Sequence, residues 1–473
     1  MNDYRNFIKG KHKAHTDVGF SCPASVLPAG MKDWQADVTA WALRKGRAAL
    51  FEDCGLGKTL QQLAWSDAVH RHTGGEVLIL APLAVAPQTV AEGAKFGIPA
   101  TLAREAKDIR PGVNVANYER LHLFDPARFV GVVLDESSIL KAFMGKTKRA
   151  LVDAFRRTPY RLCCTATPAP NDVVELGNHA EFLGIMNPGD MLTRFFINDT
   201  SEANKLRLKK HAVRPFWEWV SSWAICMTSP ADLGYPADGY ELPPMHLRKH
   251  VIAAPEHDFS NGKLMAEHSY SAADMHREMR ETLEARAATA AGLCRDEHDN
   301  EPVIVWCNTN DEAEGVVSQV PGAREVRGDM RPELKEELLT GFTAGDVRVL
   351  VTKPSIAGFG LNWQHCRASV SVGLSYSFEQ RYQALRRIWR FGQEREVFDH
   401  VCMGPGEAKI FDSVMAKQAA HEDMGRQMAM AVDSARELGR SRERLELDDY
   451  RPDCGMLLPG FLASAPAVME VLA

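Results

Sequence analysis

The chain has 473 residues, 45% hydrophobic and 25% charged, and is long enough for two or three domains with cores of their own. Its net charge of −6 is not that of a typical nucleic-acid-binding protein, although a basic cleft can lie on an acidic molecule. The first residues lack an apolar signal core, and the absence of any apolar run of about 20 residues excludes a membrane-spanning helix. The ten cysteines are scattered without a Cys-x-x-Cys spacing, so we predict a reduced, cytoplasmic protein.

Short apolar runs alternate with helical stretches, which is the pattern of parallel α/β units. The predicted strands of the first half are 48–51, 77–80, 113–116, 130–134 and 161–165, and those of the second half are 303–307, 348–351, 369–372 and 399–402. Between the two sets lies a different stretch, which contains Trp217, Trp219 and Trp223 and a proline-rich loop. We therefore predict an α/β fold of two parallel-sheet lobes with an α-rich insert between them.

The changes in composition also predict where the domains begin and end. The expected units are an N-terminal extension (1–30), a first lobe (31–187), a helical insert or linker (188–300), a second lobe (301–430) and a C-terminal tail (431–473).

The first chemical motif follows the predicted strand 48–51 and reads Asp53, Cys54, Gly55, Leu56, Gly57, Lys58, Thr59. Glycines allow backbone N–H groups to approach a polyphosphate, a lysine reaches its terminal phosphates, and a hydroxyl binds Mg²⁺. The full phosphate-loop pattern has a further glycine where this chain has Glu52. The motif therefore predicts a nucleotide site, and a glycine-rich turn before a helix is the alternative.

Gln35 precedes this loop and follows Trp34. A glutamine amide has a donor and an acceptor that can pair with adenine. We interpret Gln35 as an adenine contact, and an ordinary surface glutamine is the alternative.

An acidic pair, Asp135 and Glu136, ends the predicted strand 130–134. Ligands bind at the carboxyl ends of parallel strands, which is where these carboxylates would lie. In nucleotide hydrolysis Asp135 would bind Mg²⁺ and Glu136 would orient and deprotonate the attacking water. The alternative is that the pair caps the next helix.

Hydroxyl residues follow the next predicted strand, with Thr165 and Thr167 before Pro168. They could hydrogen-bond the acidic pair and couple the phosphate state to a bound polymer. A simple turn is the alternative.

The second lobe contains the segment 380–393, in which Gln383, Arg387 and Arg390 would share one face of a helix that stops at Gly392. Two guanidinium groups on one face suit a γ-phosphate and the charge of its transition state. The alternatives are a solvated basic helix or direct binding of a nucleic-acid backbone. Together with the phosphate loop and the acidic pair, the segment predicts arginine fingers.

In this order, the motifs resemble those of superfamily 2 helicases, and within them the SWI/SNF-type DNA translocases, over roughly residues 30–425. The matching segments are Gln35, 53–59 (motif I), 81–83 (Ia), 115–119 (Ib), 135–136 (II), 165–168 (III), 303–309 (IV), 358–362 (V) and 383–393 (VI, in its Gln-Ala-x-x-Arg-x-x-Arg-x-Gly-Gln form).

The resemblance implies two RecA-like lobes that bind ATP and Mg²⁺ between them. The implied ATP contacts are Gln35, Asp53, Cys54, Gly55, Leu56, Gly57, Lys58, Thr59, Gly360, Arg387 and Arg390; Thr59 and Asp135 would bind the metal. The implied catalytic residues are Lys58, Glu136, Arg387 and Arg390, and the implied coupling residues are Thr165, Thr167 and Gln383. The implied DNA contacts are Pro82, Asn117, Tyr118 and Lys353.

The chain departs from the family pattern in two places. Motif II reads Asp-Glu-Ser-Ser, which leaves the carboxylates intact but alters the positions that couple hydrolysis to the second lobe. Near motif V, Lys353 precedes the motif and Trp363 replaces the usual leucine. This sequence pattern resembles that of compact phage-encoded members of the family. For such a member the cytoplasm would be that of a bacterial host.

The predicted function is ATP-dependent movement on nucleic acid, with duplex DNA favoured and little sequence preference. Three alternatives stay open: an RNA helicase or strand-separating DNA helicase, a helicase-like scaffold with weak turnover, and the motor subunit of a defence system. Recombination, replication or defence proteins are the expected partners, and no membrane is expected.

Overall fold

The computed structural model describes residues 17–83, 85–142, 144–198, 206–253, 272–357 and 362–437. The predicted ATP contact Gly360 and most of its motif, 358–361, lie outside these residues. So do the first sixteen residues of the predicted N-terminal extension and the predicted tail beyond 437.

The first lobe is a parallel sheet covered by helices on both faces. Its strands are β1 (Arg47–Glu52), β2 (Glu76–Ala81), β3 (Ala100–Leu102), β4 (Val113–Asn117), β5 (Phe129–Asp135), β6 (Tyr160–Cys164) and β9 (Ala224–Met227). They are arranged in the order β3-β4-β2-β5-β6-β1-β9. Its helices are α1 (Asp33–Lys45), α2 (Lys58–Thr73), α3 (Ala86–Lys95), α4 (Lys146–Phe155), α5 (Leu176–Leu183), α6 (Pro188–Phe195) and α7 (Val213–Ser221). Two further strands, β7 (Phe196–Asn198) and β8 (Leu206–Leu208), pair in an antiparallel hairpin.

The second lobe is a further parallel sheet with its own helices. Its strands are β10 (Met245–Val251), β11 (Val303–Cys307), β12 (Arg324–Val326), β13 (Val349–Thr352), β14 (Ala368–Val372) and β15 (Val397–Met403), arranged in the order β10-β15-β14-β11-β13-β12. Its helices are α8 (Ala272–Glu281), α9 (Leu283–Gly292), α10 (Asn310–Val317), α11 (Pro332–Ala344), α12 (Pro354–Ala357), α13 (Phe378–Leu385) and α14 (Ala408–Glu437).

The predicted fold class of two parallel-sheet lobes is confirmed. All nine strands expected from the sequence form, each within two residues of its predicted ends. The central strands are buried on both faces, β11 over its whole length and β1 at all but its first residue. Burial on both faces is the reason that they read as continuous apolar runs.

The stretch 188–300, expected as an insert between the lobes, contributes a strand to each sheet. β9 pairs in parallel with β1, and β10 pairs in parallel with β15. Trp217, Trp219 and Trp223 are buried in the core of the first lobe, because a tryptophan ring buries a large apolar area. We infer that the boundary between the lobes falls in the proline-rich loop between β9 and β10.

α14 follows the last strand of the second lobe and returns to the first. Near its C-terminal end, Met424 and Met428 are almost fully buried in the first-lobe core, where the helix packs on α7 and β9. The lobes are therefore joined by the proline-rich loop and again by this helix. Among the described residues no helix, α14 included, is both long and apolar enough to cross a bilayer.

Candidate nucleotide site between the lobes

The predicted phosphate loop, 53–59, connects β1 to α2 at the carboxyl edge of the first sheet. Gly55 and Gly57 have positive φ angles of 94° and 77°, which L-residues with a side chain rarely adopt. The ammonium group of Lys58 donates hydrogen bonds to the carbonyl oxygens of Glu52 (2.7 Å) and Asp53 (3.0 Å). Phosphate oxygens can replace these carbonyls as acceptors, so the loop suits a polyphosphate.

Gln35 lies against this loop, next to Gly57. A Cβ atom at Gly57 would fall 2.5 Å from the Gln35 amide nitrogen, so a side chain there would displace the Gln35 amide. The same nitrogen donates to the carbonyl of Leu56 (2.9 Å), and the amide oxygen accepts from the N–H of Lys32 (3.0 Å). Gln35 thus anchors the loop to the start of α1, and its contact with adenine stays a prediction.

Glu52 is fully buried at the position where the full loop pattern has glycine. Its carboxylate accepts a hydrogen bond from Gln61 of α2 (2.7 Å). Burial raises the pKa of Glu52 to about 7, against the opposing effect of the Lys58 charge. Sequence reasoning treated this residue as a missing glycine, whereas it forms a buried link between β1 and α2.

Asp135 is the last residue of β5 and Glu136 follows it, beside the phosphate loop. Gln62 of α2 donates to the Asp135 carboxylate (2.7 Å), and the hydroxyl of Tyr118 donates to the Asp135 carbonyl (2.7 Å). Burial raises the pKa of the Asp135 carboxyl. With Thr59 at the second position of α2, Asp135 provides the hard oxygen donors that Mg²⁺ prefers, so these two residues fit the predicted metal site.

Glu136 has a strained backbone and is the one non-glycine residue with positive φ (57°) among the described residues. Such a conformation costs about 1–3 kcal/mol and is frequent at functional sites. Burial and then the Asp135 charge raise the pKa of Glu136 to about 7, while Lys58 and Arg387 oppose the rise. A carboxylate with a pKa near neutrality suits a general base.

The three predicted coupling residues converge on Glu136. Thr165 donates to the Glu136 carboxylate (3.2 Å), and so does the amide of Gln383 from the second lobe (3.4 Å). Thr167 is linked indirectly, because its N–H donates to the Thr165 hydroxyl (3.1 Å). The altered motif II position Ser137 contacts the buried ring of His179 (3.2 Å) and so stays within the first lobe.

The predicted arginine fingers lie on a turn and not on a helix, which corrects the expected shared helix face. α13 ends at Leu385, and a hydrogen bond from the N–H of Trp363 to the carbonyl of Arg387 (2.9 Å) fixes the backbone that follows. Burial lowers the pKa of Arg387, and that of Arg390 to about 10. Arg387 is buried and Arg390 is half-buried.

Both arginines nevertheless face the first lobe. The positive charge of Arg387 acts on Glu136 and Asp135, because it opposes the rise in the pKa of each. Arg390 lies over the phosphate loop, because a Cβ atom at Gly55 would be 3.7 Å from the Cβ of Arg390. The Nε atom of Arg390 is buried and has no hydrogen-bond partner among the described residues. A buried, unpaired donor of this kind suits an anionic ligand.

Two further residues of the second lobe contact the phosphate loop, and sequence reasoning missed both. Arg386 forms an ion pair with Asp53, and the hydroxyl of Tyr382 donates to the same carboxylate (2.6 Å). The four-residue spacing of Tyr382 and Arg386 within motif VI was the available signal. Lys141 and Glu379 form another ion pair between the lobes.

The four predicted DNA contacts lie at the carboxyl ends of parallel strands. Pro82 follows β2, Asn117 ends β4 and Tyr118 follows it, and Lys353 follows β13. Asn117 is buried, whereas Pro82, Tyr118 and Lys353 are half-buried, and the Tyr118 hydroxyl is engaged with the Asp135 carbonyl. Contact of these residues with DNA stays a prediction.

Comparisons with known proteins give a family match in the second lobe and a structural match over most of the chain. Residues 284–392 match the family model described as the helicase conserved C-terminal domain. No curated protein matches the chain. A solved structure, the "Sulfolobus solfataricus SWI2/SNF2 ATPase core in complex with dsDNA", is similar at 15% identity and a TM-score of 0.40, with 91% of this chain and 98% of that chain covered. The segment from α9 to the turn after α13 is therefore similar to a helicase C-terminal domain.

Proposed function

We propose that this protein is an ATP-dependent DNA translocase that couples ATP hydrolysis between its two lobes to movement on duplex DNA. The observation that carries the proposal is the position of Arg387 and Arg390, which extend from the second lobe toward the phosphate loop and the acidic pair of the first. A site divided between two lobes makes hydrolysis depend on their closure.

Each wall of the cleft has its own part in this proposal. Lys58 and the N–H groups of the loop bind the phosphates of ATP, and Glu136 orients and deprotonates the attacking water. Mg²⁺, when bound by Thr59 and Asp135, would neutralise phosphate charge. Arg387 and Arg390 stabilise the charge that develops on the transferred phosphoryl group.

Closure of the lobes also couples hydrolysis to the nucleic acid. Gln383 connects the second lobe to Glu136 directly, so the base is held best when the lobes are together. Nucleic acid would lie across the strand ends that contain Pro82 and Lys353, one in each lobe, and would be held through its backbone phosphates. A change in cleft closure then changes the distance between the two contacts.

The choice of duplex DNA rests on the form of motif VI, which resembles that of SWI/SNF-type translocases. The resemblance also supports work in the cytoplasm with recombination, replication or defence proteins, in a phage-infected bacterium if the protein is phage-encoded. The match over residues 284–392 supports a helicase-type motor more generally.

The test is ATP hydrolysis with a panel of duplex DNA, single-stranded DNA and RNA. We expect the largest stimulation with duplex DNA, with little dependence on its sequence. Stimulation by RNA alone would reject DNA as the substrate, and equal low turnover in all conditions would favour a scaffold.

Two variants assign the turnover to this site. Lys58→Ala should abolish stimulated hydrolysis, and Glu136→Gln should lose turnover while it still binds ATP. Arg324→Ala, an exposed change in the same lobe as the fingers, is the matched control and should keep the parent rate. Turnover in Glu136→Gln that equals the parent rate would show that hydrolysis occurs elsewhere.

A further inference from the structure

Three histidines and a glutamate meet in the second lobe, outside the nucleotide cleft. We call them the histidine cluster: His250 on β10, His400 on β15, and Glu297 with His298, which end the π-helical turn after α9. The ligand atoms of Glu297, His298 and His400 all lie within 4.8 Å of one another. The cluster is near the amino end of β11, whereas the nucleotide cleft uses the carboxyl ends of strands.

His400 is the centre of the cluster and is fully buried. Its Nδ1 atom lies 3.0 Å from Nε2 of His250, and its Nε2 atom lies 3.0 Å from Nε2 of His298. The Nε2 atom of His400 is also 3.9 Å from a carboxylate oxygen of Glu297. Nε2 of His400 therefore points at two other potential ligand atoms.

His298 is buried, as His400 is. The buried Nδ1 atom of His298 has no hydrogen-bond partner among the described residues.

We propose that Glu297, His298 and His400 bind a divalent transition-metal ion of the zinc class. Two imidazoles and a carboxylate are a known zinc ligand set that leaves a fourth position for water. His250 is suited to support the site, because it can accept a hydrogen bond from Nδ1–H of His400 and so direct Nε2 of His400 at the ion.

The distances need only a small adjustment. Tetrahedral zinc with Zn–N bonds of about 2.1 Å separates its nitrogen ligands by about 3.4 Å. The two Nε2 atoms are 3.0 Å apart, so ring rotations that move them by a few tenths of an ångström suffice. Arg248 forms an ion pair with Glu297. The paired oxygen, Oε1, is also the one that faces His400, so a rotation of the carboxylate would leave Oε1 for the ion and Oε2 for Arg248.

A bound ion would join three segments that the chain supplies far apart. It would connect β15 to the turn before β11, and the contact of His250 with His400 would hold β10 to the same site. β10 is the first strand after the loop that joins the lobes, and most of its residues are exposed or half-buried. The ion would therefore stabilise an edge strand that has little apolar burial of its own.

The experiment titrates tag-free, chelator-treated protein with Zn²⁺ by calorimetry and with Co²⁺ by visible absorption. We expect one equivalent to bind, with a higher melting temperature and the spectrum of tetrahedral Co²⁺. Glu297→Gln and His298→Gln should each weaken binding at least about tenfold, and His250→Ala should weaken it about 10- to 100-fold. ATP is absent, so the result is independent of the proposed motor activity.

The matched control is His246→Ala, because His246 lies on the same strand as His250 but contacts Glu396 instead. It should bind metal as the parent does. The Glu297 side chain is 36% exposed, so Glu297→Gln is expected to fold. This variant therefore tests the metal site even if a histidine variant fails to fold. No uptake by the parent, or equal uptake by the parent and Glu297→Gln, would overturn the proposal.

Discussion

Arg386 in the second lobe forms a buried ion pair with Asp53, the first residue of the phosphate loop. The Asp53 carboxylate also accepts from the N–H of Cys54 (2.6 Å) and from the Tyr382 hydroxyl. One carboxylate therefore connects the conformation of the loop to the closure of the lobes. This link is independent of the predicted arginine fingers.

Breaking this pair should open the lobes. Arg386→Met leaves a buried charge on Asp53, at a cost of about 3–5 kcal/mol that is relieved when the lobes separate and water reaches the carboxylate. We expect a larger radius of gyration in solution scattering than for the parent. The double variant Asp53→Asn/Arg386→Met should be more compact than Arg386→Met alone; equal dimensions in all three proteins would rule out a role in closure.

The arginine fingers should affect turnover more than nucleotide binding. Arg387→Ala removes a charge beside Glu136, and an arginine finger contributes about 10³–10⁵-fold to the rate. We expect kcat to fall at least about 10³-fold, with a much smaller change in the Kd for ATP. Arg387→Lys should restore little, because lysine lacks the planar fork. Steady-state hydrolysis and equilibrium nucleotide binding measure the two quantities, with Arg324→Ala as control.

Gln62 should set the metal requirement of the reaction. Its amide orients the Asp135 carboxylate, and loss of such a partner typically weakens metal binding about 10- to 100-fold. Gln62→Leu should therefore raise the Mg²⁺ concentration for half-maximal hydrolysis by that factor. Gln61→Leu changes the adjacent residue, whose amide binds Glu52, and should leave the requirement unchanged. A similar shift in both variants would contradict the assignment.

Glu52 should make stability depend on pH. Its pKa is raised from 4.5 to about 7 on folding, so the folded state binds more protons between these values and stability falls as pH rises through this window. Glu52→Gln removes the ionisation. The difference in free energy of unfolding between the variant and the parent should therefore be more favourable to the variant at pH 8 than at pH 4.5, by up to about 3 kcal/mol. Urea unfolding at both pH values measures this. The exposed change Glu394→Gln should show no such difference.

The return of α14 to the first lobe should contribute to stability. Met428 is 1% exposed and packs in the first-lobe core, so Met428→Ala should lower the free energy of unfolding by about 2–4 kcal/mol. Met430 on the same helix is 59% exposed, and Met430→Ala should change it by less than about 0.5 kcal/mol. Equal effects would mean that the helix is not docked.

The sheets could be predicted because buried parallel strands leave an apolar run in the sequence. β9 and β10 were not predicted, since β9 is short and β10 carries Arg248 and Lys249 on a largely exposed edge. The end of α13 was also beyond sequence reasoning. It depends on a contact between Trp363 and Arg387 that only the folded lobe provides.

The candidate site likewise has parts that the sequence predicts and parts that it does not. Motifs I, II and VI were located from local patterns, and the structure brings them together. The Asp53–Arg386 pair and the histidine cluster join residues far apart in the chain. The pairing of β10 with β15 sets His250 two residues away from the position opposite His400, and their side chains meet across the strands. No spacing rule identifies such sets, because their proximity is a property of the fold.

The two connections between the lobes restrict how they can move. A single flexible linker would allow the lobes to separate in any direction, whereas the proline-rich loop and the docked end of α14 constrain them at two points. Rotation about the line through both points is the relative motion that disturbs packing least. The cleft would then open and close along one repeatable arc, and under the proposed function each turnover would displace the two lobes by the same step.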